Sequence, residues 1–379
     1  MTEAFDVEGN RLTLLVEGPE RLDALLALIA DARESLRLLY YMYDPDRVGT
    51  RVRDALIEAA RRGVSVSLVV DGFGSSASDG FFQPLTDAGA SLCRFQPRWG
   101  RRYLLRNHQK MAIADRGRAI IGGFNIADDY FAARPGREWR DLGLVIEGAE
   151  VATLSGYFDA LSEWARRPGA TIRGLRRALD HWSETRGRTR WLLGGPARRL
   201  SPWVRAIKQD LGRCRRLDMI TAYFAPNPAM LRRIERICDR GGVARVVTAA
   251  KSDNGATIGA ARHCYARLLR HGISIWEYQP VKLHTKLFVV DDIVHLGSAN
   301  FDMRSLYLNL EIMLRIKDKA FADHVRAYVE GELAYSREIT REAHAASGWF
   351  SRLRWSLAYF MVAVLDYGVS RRLNFGIRG

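Results

Sequence analysis

The sequence predicts an α/β protein built from two homologous halves, each a mixed sheet flanked by helices. Three observations carry this: an internal repeat, an alternation of helical and strand-like apolar spacing, and near-continuous apolar runs such as SVSLVV and KLFVV. Runs of that last kind belong to central strands covered by helices on both faces. The repeat comes first because it fixes the architecture. GASLCRFQP at 89–97 matches GISIWEYQP at 272–280, and RRGVSVSLVVD at 61–71 matches RGGVARVVTAA at 240–250. His108–Lys110 matches His284–Lys286, and the second member of each pair lies 176 to 183 residues downstream. A drifting offset over one order of segments indicates a duplication with loop insertions.

Within the first half, Arg21–Leu36 has helical apolar spacing and Leu36–Tyr43 reads as a strand. Val48–Ala60 is again helical, and Val64–Val70 is a β-branched strand. The expected division is a first half over 1–165, an Arg-rich connector over 166–200, a second half over 201–346 and an apolar, basic tail over 347–379. A chain of 379 residues exceeds the usual single core of ~250 to 300 residues, in agreement with two halves.

Composition sets the class of partner. With 47% hydrophobic and 27% charged residues, the chain is neither disordered nor a polytopic membrane protein. A net charge of +15 favours a polyanion, either nucleic acid or an anionic bilayer. Cys93, Cys214, Cys238 and Cys264 stand far apart with no CxxC spacing, which points to a reducing compartment and away from structural zinc. The start MTEAFDVEGNRLTLL lacks the pattern of a signal peptide, so a cytosolic face is expected. The most apolar window, Trp355–Leu365, is about half the ~20 residues that a spanning helix needs.

The chemistry sits in a doubled motif. HQKMAIAD (His108–Asp115) is followed by GGFN (Gly122–Asn125), and HTKLFVVD (His284–Asp291) by GSAN (Gly297–Asn300). Residues i and i+2 of an extended chain share a face, so His108 with Lys110, and His284 with Lys286, present an imidazole and an ammonium together. That pair suits a phosphodiester. Asp115 and Asp291 lie an odd seven positions after their histidines, beside turns, and are expected to be structural. Gly122, Gly123, Gly297 and Ser298 are small enough for backbone to approach a phosphate oxygen, to which Asn125 and Asn300 can donate.

The two motifs, each with its trailing small-small-x-Asn, resemble those of the phospholipase D superfamily over most of the chain. The resemblance implies two phospholipase D-type halves with one shared active site at their interface. It also implies that each catalytic imidazole pairs with an acid some distance downstream, a role carried to Asp141 and Glu311. A two-step transfer follows, with His108 as nucleophile, His284 as acid and base, and Lys110, Lys286, Asn125 and Asn300 neutralising the phosphate. No metal or other cofactor is called for. His181, His263, His271, His295 and His344 lack this context and are expected at the surface or in the core.

YYMYDPDRVG at 40–49, WRDLGLVIEG at 139–148 and SANFDMRSLYLNLE at 298–311 resemble bacterial cardiolipin synthases most. The implied activity is phosphatidyl transfer between glycerophospholipids, through a phosphohistidine, at the cytoplasmic face of a bacterial membrane. Anionic phospholipid and the membrane surface are the expected partners, and nucleic acid is disfavoured. The alternatives are a hydrolytic phospholipase D, a nuclease of the same superfamily using the basic aromatic loop Pro97–Asn107, and a membrane-binding scaffold. Arg352–Phe375, apolar in its middle and bordered by Arg352, Arg354, Arg371 and Arg372, is either an interfacial element or a final core helix.

Overall fold

The computed structural model describes residues 3–96, 105–133, 136–197 and 200–366. Most of the loop 97–107 and the end of the tail, with Arg371 and Arg372, lie outside the described residues. The first half contributes β1 (Ala4–Val7), β2 (Asn10–Leu15), β3 (Ser35–Tyr40), β4 (Ser65–Asp71), β5 (Ser91–Phe95), β6 (Met111–Ala114), β7 (Arg118–Gly122), β8 (Trp139–Arg140) and β9 (Gly143–Glu147). The second contributes β10 (Thr189–Gly194), β11 (Arg216–Thr221), β12 (Phe224–Ala225), β13 (Val243–Ala249), β14 (Ser274–Tyr278), β15 (Lys282–Leu283), β16 (Lys286–Val290), β17 (Ile293–Gly297), β18 (Phe301–Asp302), β19 (Glu311–Lys317) and β20 (Ser336–Glu338).

Two eight-stranded mixed sheets result, ordered β1-β2-β9-β7-β6-β3-β4-β5 and β10-β19-β17-β16-β11-β13-β14-β20. The duplication is visible in that order. The run β9-β7-β6-β3-β4-β5 of one sheet corresponds strand for strand to β19-β17-β16-β11-β13-β14 of the other. In each, the last three strands of the run are parallel and the first four antiparallel.

The local sequence explains where elements stop. The first helix runs Gly18–Asp31, with Pro19 in its first turn and Leu22, Leu25, Leu28 and Ile29 on its buried stripe. It ends before the expected Leu36 because Ala32 turns extended, and the next backbone N–H groups have another acceptor. Arg33, Glu34 and Ser35 all donate to the Asp115 carboxylate, each at 2.8 Å. Asp291 does the same at the matching place in the second half, accepting from the N–H groups of Arg215 and Arg216. Both aspartates occupy left-handed turns, at φ 50° and 51°.

The stretch 166–200 departs from the expected connector. It carries a helix, Ile172–His181, and then β10, which is the edge strand of the second sheet and pairs along its whole length with β19. Arginine-rich flanks hide this strand, but Trp191 and Leu193 are buried, and that burial recruits TRWLLG to the sheet. One continuous apolar core joins both halves. It includes Leu144 and Ile113 of the first sheet, Leu287 and Leu314 of the second, and Leu161 and Val325 from the helices Glu150–Arg166 and Lys319–Ala334. Two further cores lie within single halves.

Asp115 lends itself to a stability test. Burial pushes its carboxyl up, but the three N–H donors outweigh burial and hold it below the ordinary carboxylate value. Asp115→Ala should cost about 1–3 kcal/mol by leaving charge-assisted hydrogen bonds unmade, read as a lower midpoint in denaturant. Because the folded value is depressed, this contribution is full above the ordinary value of about 4 and fades as pH falls through the folded one. The gap between parent and variant should therefore narrow on acidification.

Candidate active site

Each motif histidine sits just before a strand, not in it. His108 precedes β6 and His284 precedes β16, so both side chains emerge where strands end at the interface of the halves. Backbone pairing across that interface sets their height. The His284 N–H donates to the Arg140 carbonyl at 2.7 Å, and the His108 N–H donates to the Leu310 carbonyl at 2.9 Å. Around the first of these, β15 and β8 pair in parallel; around the second, Asn107 bridges Leu310.

Those two hydrogen bonds place the acid of each half beside the histidine of the other. His108 Nδ1 lies 3.1 Å from both Glu311 oxygens, and His284 Nδ1 lies 2.6 Å from Asp141 Oδ2. The resemblance implied pairing with the acid downstream in the same half, and that expectation is corrected here: the partners are exchanged. The physical reason is the strand order. Asp141 and Glu311 adjoin β9 and β19, which are separated from β6 and β16 by β7 and β17, whereas the crossing backbone brings each acid directly to the opposite motif. An ionised acid at Nδ1 favours the tautomer that carries its proton there and turns the Nε2 lone pair outward.

The electrostatics are those of a buried cluster. Lys110 and Lys286 are each 1% exposed, and Asp141 and Glu311 are fully buried. Lys110 Nζ donates to the His108 carbonyl at 2.6 Å, and Lys286 Nζ to that of His284. Burial, then the Lys110 and Lys286 charges, push the His108 imidazole well below its ordinary value. Burial and Lys286 lower His284 to about 3 despite the pull of Asp141. The carboxylates diverge. Burial would raise Asp141, but Lys286 and His284 hold it below the ordinary range. Burial wins at Glu311, which is pushed up to about 7.

His108, His284, Asn125 and Asn300 all line one cleft of about 250 Å³, walled also by Tyr41, Trp139, Tyr223, Asp253, Arg106 and Arg304. Asn125 is held in place: its Nδ2 donates to the Tyr130 hydroxyl at 2.9 Å and its Oδ1 accepts from the Met42 N–H at 3.1 Å. Asn300 Oδ1 accepts from the Tyr223 N–H at 3.4 Å. Asp115 and Asp291 are outside the cleft, at the turns described above.

The small residues of the trailing motifs have a packing reason. A Cβ on Gly123 would collide with the Asp141 carboxylate, one on Gly122 would lie 2.6 Å from the Leu142 carbonyl, and one on Gly297 would meet that of Ile312. Ser298 donates its hydroxyl to Glu311. Gly123 and Ser298 seat the carboxylates, Gly122 and Gly297 make room for the neighbouring backbone, and none of the four lines the cleft.

Sequence reasoning missed the aromatic walls. Tyr41 packs edge-on to His108 with ring centres 5.1 Å apart, and Trp139 and Tyr130 each lie 5.2 Å from His284. Tyr41 and Tyr223 both follow the central strand of their half, β3 and β11, which was the available signal. His181, His263, His271, His295 and His344 do not line the cleft; His295 is buried against Asp210 at 2.9 Å.

Two histidines and two asparagines line one cleft, and behind them lie the two carboxylates and two buried lysines, an arrangement suited to phosphodiester chemistry. A family model described as cardiolipin synthase, PLD-like domain, matches residues 25–162 and 207–332. Cardiolipin synthase A of Pseudomonas entomophila is 32% identical over 344 residues, covering 88% of this chain and 71% of the relative. Cardiolipin synthase A of Pseudomonas putida is 30% identical over 370 residues, covering 94% and 75%. Among solved structures, phosphatidylserine synthase of Haemophilus influenzae superposes with a TM-score of 0.73 at 14% identity, covering 99% of this chain and 97% of that one. The chain belongs to the cardiolipin synthase, PLD-like domain family, among the phosphatidyltransferases of the phospholipase D superfamily.

The buried lysines make the site sensitive to alkali. Burial lowers the Lys286 ammonium to about 8 against the pull of Asp141 and Glu311. It is therefore cationic below that value and neutral above it, so kcat/KM should fall as pH rises through about 8. Lys286→Arg, which keeps its charge, should move that limb upward in a pH–rate profile, whatever its effect on the plateau.

Proposed function

We propose that the chain moves a phosphatidyl group from one glycerophospholipid to the alcohol of another through a phosphohistidine on His108, joining two phosphatidylglycerols into cardiolipin with release of glycerol. It would do so as a peripheral enzyme at the cytoplasmic face of the membrane. The net charge of +15 supports an anionic lipid surface as partner, and no helix among the described residues is long and apolar enough to cross a membrane.

The observation that carries the assignment of roles is the difference between the two carboxylates. Asp141 is held ionised beside His284, so it stabilises an imidazolium there, as an acid and base requires. Glu311, pushed up to about 7, offers His108 less charge, which keeps that imidazole neutral and nucleophilic. Burial and the lysine charges keep both rings neutral. A bound phosphodiester anion offsets the lysine charges and raises His284, which takes up a proton from water on Nε2 as the substrate binds and so has one to give.

In the first step His108 Nε2 attacks phosphorus, the bond to the headgroup glycerol oxygen breaks, and His284 gives that oxygen its proton. In the second, His284 takes the proton of the incoming lipid hydroxyl, whose oxygen displaces His108 and restores the diester. Lys110 and Lys286 offset the charge on the phosphate oxygens. Water as the second acceptor would give phosphatidic acid instead.

A denaturing quench at neutral pH of enzyme turning over labelled phosphatidylglycerol, followed by peptide mass spectrometry, should place the label on His108. Label on His284 would reverse the roles; label on neither histidine during turnover would end the mechanism. His108→Ala and His284→Ala should each abolish transfer. The products decide between classes: cardiolipin and glycerol support the reading, while phosphatidic acid alone, or cleaved single-stranded DNA without lipid turnover, would replace it.

A further inference from the structure

The helix Trp349–Tyr359, continued by Phe360–Leu365, divides its surface between two tasks. One side is seated on the helix Gly255–Arg270. Trp355 and Ala363 are buried, Tyr359 stacks on His263 with centres 4.6 Å apart, and a Cβ on Gly259 would lie 2.9 Å from that of Ala358. The other side faces solvent with Trp349, Phe350, Leu353, Leu357, Met361 and Val364, which are 47% to 77% exposed. Elsewhere among the described residues only Val243 and Tyr335 are large apolar side chains this exposed. A contiguous apolar face of this kind marks an interaction site.

Charge and continuity identify its partner. On one flank a cleft of about 370 Å³ is lined by Arg270, Arg341 and Arg352, together with Arg262, which is paired with Glu277 behind it. On the other, an apolar groove of about 640 Å³ runs between Gly255–Gly259 and Leu357–Met361, with Arg354 on its wall. That groove and the catalytic cleft share one stretch of chain: Gly255 and Ala256 of the groove directly follow Asp253 and Asn254, which wall the cleft. The helix is also tied to the cleft at its far end. Asp366 accepts from Arg304 Nη1 at 2.9 and 3.0 Å, and Arg304 lines the cleft.

We propose that this helix is the bilayer-docking element: its apolar face enters the interface of an anionic phospholipid membrane, the arginine cleft meets headgroup phosphates, and the docked helix holds the catalytic cleft against the lipid. The proposal rests on the phosphatidyl-transfer reading for the lipid, but its test does not need turnover. An apolar contribution insensitive to salt and a cationic one screened by it should be separable.

Flotation would be measured for the unaltered chain, for Leu357→Asp with Met361→Asp, and for Arg270→Glu with Arg341→Glu. Vesicles of phosphatidylcholine, with and without phosphatidylglycerol, would be used at low and high salt. The first pair should lose about tenfold or more of binding on both vesicles. The second should lose binding only with phosphatidylglycerol at low salt. Binding of the first pair equal to that of the unaltered chain on either vesicle, or of the second pair equal to it on phosphatidylglycerol at low salt, would overturn the proposal. Hydrogen exchange of the unaltered chain guards against misfolded variants: amides of 349–366 should slow on vesicles, and unchanged rates would overturn it as well. Self-association in lipid-free buffer that the first pair abolishes would assign the face to a second copy and also overturn it. Helix-dependent flotation without phosphatidyl transfer would leave the docking intact and overturn the reaction; transfer with helix-independent flotation would do the reverse.

Discussion

The active site depends on a reciprocal exchange: each half supplies the carboxylate for the other half's histidine. His108 with Glu311 and His284 with Asp141 are joined by backbone as well as side chains, since the carbonyl just before each acid accepts the N–H of the opposite histidine. A shift of one residue in either crossing would turn the acid to the other face of its chain and leave the imidazole unoriented. The shared apolar core and the two crossings therefore serve one purpose. They fix the register at which two half-sites complete each other, and neither motif histidine is paired with a carboxylate of its own half.

Burial makes the exchange electrostatically cooperative. Two lysines and two carboxylates are withdrawn from water together, and a buried charge without its partner costs several kcal/mol. The cluster is close to neutral only when both halves are docked and both imidazoles are uncharged. That balance also prepares the site for its substrate. A phosphodiester brings one negative charge into a cleft whose nearest cations already depress both histidines, so binding and protonation of an imidazole favour each other.

Much of this was legible in the sequence, because a duplication repeats its motifs at a nearly constant offset and histidine, lysine and asparagine declare their chemistry by spacing. The exchange of carboxylates was not, since separation along the chain cannot tell which half a strand end will face. Composition misled at two places. Arginines around TRWLLG concealed the edge strand β10, whose membership is decided by its pairing with β19. In the tail, an all-round apolar segment looked either buried or lipid-bound, whereas Gly259 lets one side pack closely while the other stays exposed.

The two halves are near copies, yet the surroundings of their histidines differ, and the difference traces to a few atoms. Gly123 and Ser298 occupy the same position of the trailing motifs. At Gly123 the absent side chain leaves the space that Asp141 fills, 2.6 Å from His284. At Ser298 the hydroxyl accepts from the Ile312 N–H and donates to Glu311, so that carboxyl is divided between Ser298 and His108, from which it lies 3.1 Å. A short, ionised contact favours an imidazolium, and a longer, divided one favours a neutral ring. Divergence at one small residue and one methylene of the acid is thus enough to give a symmetric scaffold an asymmetric pair of histidines.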